Sequence, residues 1–175
     1  MHTHYIQFFT ATIYKWIPVL FDNKLKDIIT DSLAYLVKEK RCRVYGFVIM
    51  PNHLHLLWKI NDNHRAQDVQ RDFLKYTAQQ IRFILNDSNS ELLSKFEVNL
   101  KDRKYQFWQR NSLSTDLWSR KTVEQKLDYI HFNPVSGKWN LSEDFSKYYH
   151  SSASFYEDDT NRFPFLSHYM EYFNG

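Results

Sequence analysis

The run from Gly46 to Trp58 constrains the fold more than any other stretch of the chain. Two strand-prone segments flank Pro51-Asn52, a pattern that predicts an antiparallel hairpin turning at the Pro-Asn pair. Strand side chains alternate between faces, so His53 and His55 emerge on one side, close enough to share one metal ion, while Leu54 and Leu56 anchor the other. A bare His-x-His is a weak signal, because two imidazoles near a surface are ordinarily solvated or hydrogen-bonded. This pair opens a strongly apolar strand, where two adjacent imidazoles without partners would be costly to bury.

The rest of the chain falls in place around that hairpin. His4 to Tyr14, rich in Tyr, Ile, Phe and Thr, reads as a first strand. From Asp22, a candidate N-cap, Leu25, Ile28, Ile29, Leu33, Leu36 and Val37 recur at helical spacing, with Lys38, Lys40 and Arg41 at the cationic end. Asn61-Asp62-Asn63 then breaks the chain. Phe73, Leu74, Thr77, Ala78, Ile81, Ile84 and Leu85 mark a second long helix, ending at the polar stop Asp87-Ser88-Asn89-Ser90. The aromatic runs Tyr105 to Arg110 and Asp116-Leu117-Trp118 suit one or two closing strands. This order predicts an α+β, ferredoxin-like antiparallel sheet with both helices on one face and the other face open to a ligand.

The chain has 175 residues, which suits a single domain, with a core over about 5–138 and a C-terminal appendage over about 139–175. One cysteine, Cys42, excludes an internal disulfide and a cysteine-based metal cluster. The start, Met1-His2-Thr3-His4, lacks a signal-peptide profile and no apolar run approaches ~20 residues, so the reading is a soluble, cytoplasmic protein away from membranes.

Formal net charge is only +3, but it is unevenly spread. From Lys95 to Lys126 eight Lys/Arg face four acids, whereas beyond Trp139 the acids prevail. A basic middle suits a polyanion; a charged surface with no partner explains it equally well.

Thr122 to Pro134 reads as a helix of about three turns, with Thr122 and Gln125 as a capping box, Val123, Leu127 and Ile130 as its buried stripe, and Pro134 and Gly137 at its end. Tyr129 and Asn133, four apart, share a flank with Lys126 one turn earlier. Taken alone, this is also what a partly buried tyrosine and a helix-ending asparagine look like. Asn133 precedes a proline, which biases it away from helical dihedrals.

The His-Leu-His strand after Met50-Pro51-Asn52, Trp108-Gln109-Arg110, and Tyr129 to Pro134 followed by Ser151-Ser152 together resemble the IS200/IS605-type single-tyrosine (HUH) transposases. Within them the chain is most similar to the branch associated with repetitive extragenic palindromes. The resemblance runs from about Tyr5 to Tyr156. It implies that His53 and His55 are metal ligands, that Tyr129 is the nucleophile, and that Asn133 supplies a third ligand where the insertion-sequence branch carries Gln. Two departures are a long loop from Asp87 to Lys104 and Ser112-Leu113-Ser114 in place of a Gly- and Tyr-rich stretch.

Two imidazoles and a neutral amide would leave a divalent ion, Mg²⁺ or Mn²⁺, with open positions and undiminished charge for a scissile phosphodiester. Attack by a tyrosine would leave a 5′-phosphotyrosine and a free 3′-hydroxyl, conserving the bond energy for rejoining. The expected substrate is single-stranded or hairpin DNA, with Arg110, Arg120, Lys121 and Lys126 as phosphate contacts and Tyr105, Phe107, Trp108 or Trp118 able to stack on bases, although most of these rings suit a core. The enzyme would act as a monomer or homodimer. Two other classes remain open: a nucleic-acid-binding protein without activity, and a metal-dependent phosphodiester hydrolase in which Tyr129 is incidental.

Overall fold

The computed structural model describes residues 3–88 and 90–175; Met1, His2 and Asn89, the last within the expected polar stop, lie outside the described residues. Four antiparallel strands, β1 (Ile6–Thr12), β2 (Cys42–Met50), β3 (His53–Ile60) and β4 (Leu113–Leu117), form one sheet in the order β2-β3-β1-β4. Helices α1 (Asn23–Lys38) and α2 (Ala66–Asp87) cross between them. This is the ferredoxin-like order anticipated from the pattern, and the hairpin turns at Pro51-Asn52 as expected.

Alternation along the strands creates two cores. Phe9, Ala11 and Ile13 with Leu54, Leu56 and Trp58 pack beneath α1 and α2. Ile6, Val48, Met50 and Leu57 face the other way and are covered by α3 (Arg120–Phe132) through Val123, Leu127 and Ile130. The second face of the sheet is therefore not open, as the pattern of strands and helices suggested, but half roofed. Each of those buried aliphatic side chains stabilises the roof by about 1.5–3 kcal/mol.

Gly46 lets the roof approach. It lies at a register shift in β2, and a Cβ placed there would come within 2.6 Å of Leu127 Cδ1.

Two local expectations are corrected. The capping box of α3 is Ser119 with Thr122, not Thr122 with Gln125: Ser119 Oγ accepts from the Thr122 amide at 3.2 Å and Thr122 Oγ1 accepts from the Ser119 amide at 3.3 Å. Tyr105 to Arg110 is not a sheet strand. It makes only isolated bridges at Tyr105 and Trp108, because Phe107 and Trp108 turn into the core, where Trp108 Nε1 donates to Thr77 Oγ1 of α2 at 3.1 Å. Leu113 to Leu117 takes the edge position instead.

The C-terminal residues, with short helices α4 (Ala153–Glu157) and α5 (Met170–Asn174), run along the free edge of β2. The His150 carbonyl accepts from the Ile49 amide, the Ser152 and Ser167 amides donate to the Phe47 and Val44 carbonyls, and the hydroxyls of Tyr148 and Tyr156 donate to the Ile49 and Tyr45 carbonyls at 2.6 Å. Buried His131 of α3 joins this seam through Nε2 and Ser152 Oγ, 2.8 Å apart. Among the described residues no helix is long and apolar enough to cross a membrane.

Candidate active site beneath α3

His53 and His55 leave the start of β3 on the α3 face, with ring centroids 4.9 Å apart. Burial pushes both imidazoles below their ordinary pKa, His55 to about 3, with the neighbouring His53 and Lys126 charges adding to the effect. Both are therefore neutral at pH 7, the form in which an imidazole can ligate a metal. Thr10 Oγ1 lies 2.8 Å from His55 Nδ1, and Asn52 Oδ1 lies 2.7 Å from His53 Nδ1. With both Nδ1 atoms so engaged, the Nε2 atoms are the ones left to face a ligand.

The helix supplies the other half. Tyr129 sits over His55 with ring centroids 5.3 Å apart, and Phe8 of β1 completes the aromatic wall, stacked on His55 at 5.1 Å. The Tyr129 side of α3 is open to solvent, the tyrosine being 53% exposed. Asn133 caps the helix with φ −54° and ψ −45°, keeping helical dihedrals despite the proline that follows, so it stays in line with Tyr129 one turn before it. Its side chain lies beside His53 and partly offsets the downward push of burial on that imidazole. Lys126 sets its ammonium 4.7 Å from the centroid of Phe8 and 5.7 Å from that of Tyr129.

His53, His55, Tyr129, Asn133 and Lys126 thus converge within one chain. The donor set, two neutral imidazoles and an amide, fits a divalent cation held reversibly, and among the described residues no cluster of three His, Cys, Asp or Glu side chains offers a tighter site.

The remaining basic residues do not join this cluster. Arg120 is held by Glu124 of its own helix at 2.7 Å, and Glu124 also accepts from the Tyr169 hydroxyl. Lys121 is exposed in the first turn of α3. Arg110 lines two concavities. One is a groove of about 550 Å³ between α2 and residues 102–112, walled by Lys75, Arg82, Lys104 and Tyr105. Arg82 and Lys104 approach the Tyr105 ring at 5.0 and 5.5 Å. The other is a cup of about 300 Å³ beside Thr10 and Thr12, flanked by Trp16. There Lys15 and Trp16 adopt consecutive left-handed conformations, φ 53° and 54°, each costing on the order of 1 kcal/mol or more.

Thr10, Asn52 and Phe8 escape the motif reading because they reach the histidines only through strand register and the hairpin turn. Lys75 and Arg82 left a usable trace, seven residues apart on one side of α2, but they lie outside the basic middle that draws the eye.

The chain matches the family described as "Transposase IS200 like" over residues 1–133. In structure it is similar to a REP-associated tyrosine transposase bound to a REP hairpin, with TM-score 0.65 and 16% identity, covering 93% of this chain and 84% of that one. It is also similar to a candidate transposase from Deinococcus radiodurans, with TM-score 0.50 and 16% identity, covering 74% and 91%. None of the curated proteins matches it in sequence.

Proposed function

The chain belongs to the IS200-like transposases and is a DNA-cleaving enzyme, and from that premise we propose that it cuts and rejoins single-stranded or hairpin DNA through a 5′-phosphotyrosine at Tyr129. The observation that carries the proposal is the contact of Tyr129 with His55 of the same chain, with Asn133 on His53 one helical turn further on. The similar REP-associated transposase holds a REP hairpin, which supports hairpin DNA as the substrate class. Its place of action would be the cytoplasm.

In this reading His53, His55 and Asn133 hold Mg²⁺ or Mn²⁺, which supplies charge neutralisation at the scissile phosphate. The Tyr129 oxygen forms a bond to phosphorus as the bond from phosphorus to the 3′-oxygen breaks. The phenolic proton passes to solvent and the departing 3′-oxygen takes one up. The Lys126 ammonium lies 5.7 Å from the centroid of the Tyr129 ring, where it can pair with a nonbridging oxygen of the scissile phosphate. Asn52 and Thr10 keep the two imidazoles turned. Lys126, Lys121 and Arg110 receive backbone phosphates, while Arg120, already paired with Glu124, contributes less.

Labelled hairpin DNA incubated with wild type and Mg²⁺ should give a protein-linked band on a denaturing gel. EDTA should abolish it, and so should His53→Ala or His55→Ala. A band that persisted undiminished in EDTA would remove the metal role from the histidines.

A further inference from the structure

We propose that the cup beside the histidine pair takes one unstacked nucleobase of the strand being cut, with Trp16 as its stacking platform. The inference rests on the single-strand reading above and names a recognition site within it. Thr10 and Thr12 form its floor. They alternate with buried Ala11 and Ile13, so they lie on the α3 face, and in the sheet they pair directly with His55 and His53. Side chains paired in this way sit about 5 Å apart, so a group in the cup is next to whatever the histidines hold. Thr10 belongs to both, since its hydroxyl touches His55 Nδ1.

The walls suit a base rather than a bare phosphate. Trp16 is 65% exposed, an unusual position for an indole that the backbone presents through two left-handed residues. Asn111 opposite is also left-handed, φ 60°, and among the described residues the side-chain amides of Gln109 and Asn111 have no hydrogen-bond partner. An aromatic plane, two amides able to donate and accept, and Arg110 for the adjoining phosphate are the elements by which proteins hold an unpaired base.

The test measures fluorescence anisotropy of a short fluorescein-labelled oligothymidine and of an all-abasic strand of the same length, at one salt concentration and in EDTA, so that no cutting occurs. Trp16→Ala should weaken oligothymidine binding about tenfold and leave the abasic strand unaffected, Trp16→Phe should restore most of the loss, and Gln109→Ala should weaken oligothymidine severalfold. Equal affinity of Trp16→Ala and wild type for oligothymidine, or an equal loss for both strands, would overturn the cup. Covalent adduct formation is scored separately. Its absence in wild type would sink the role of Tyr129 and leave the binding comparison standing, whereas its presence with unchanged binding by Trp16→Ala sinks the cup alone.

Discussion

Tyr129 is half exposed, and its ring packs against Phe8 and His55. Tyr129→Phe keeps that packing, so its stability should stay within about 0.5 kcal/mol of wild type by thermal melting. The covalent band should vanish, and a surviving band would mean that another residue is the nucleophile. Besides lining the cup, Thr10 acts through His55. Thr10→Val should raise the Mg²⁺ concentration needed for half-maximal adduct formation by about 10- to 100-fold while the same maximum is reached at saturation. The contrast shows what a sequence reveals at this scale. His53 with His55, and Tyr129 with Asn133, are tied by the periods of strand and helix, so their shared faces are legible. Thr10 lies 45 residues from His55, and only the pairing of β1 with β3 creates the relation.

At the scale of elements, the position of α3 on the sheet decides whether the site exists. Gly46→Ala must displace Leu127 Cδ1, at a cost of about 1–3 kcal/mol if the helix shifts rather than the side chain alone. Because Tyr129 rides two residues further on, adduct formation should fall more than the loss of stability explains, as adduct yield against melting temperature would show. The C-terminal seam carries its own signature. Burial raises the Tyr148 and Tyr156 hydroxyls above the ordinary phenol range, and both donate to β2 carbonyls. The folded state thus favours the neutral phenols, so stability is complete below the unfolded value of about 10 and drains away as pH rises past it. Replacing either tyrosine by Phe should flatten that alkaline decline in melting temperature. Helices α1 and α2 were readable from their apolar stripes, whereas of the fourth strand only the end, Asp116-Leu117, was anticipated. Four of the five β4 residues are exposed, leaving no alternation to detect, while the aromatic run preceding it looks like a strand because its rings are needed under α2.

Across the whole molecule, charge is organised by shape more than by chain order. The basic segment from Lys95 to Lys126 is divided in three dimensions: Arg120 is neutralised on its own helix, while Lys104 and Arg110 join Lys75 and Arg82 of α2 along one groove. If that groove carries DNA backbone, changing Lys75, Arg82 and Lys104 together to Ala should make the slope of log affinity against log salt shallower by about 2, since each phosphate contact contributes about 0.7–0.9. An unchanged slope would place the backbone elsewhere.

The seam along β2 also governs what copies of this protein can do to one another. An unpaired strand is a template for a further strand, and a sheet with two such borders can polymerise without limit. Here the residues after α3 cover the β2 border from Val44 to Ile49, and among the described strands β4 alone remains at an uncovered margin. Pairing between copies through this sheet is therefore self-terminating. Two molecules can meet margin to margin, after which no template is left for a third, and fibre growth by strand addition is closed off while the tail stays docked.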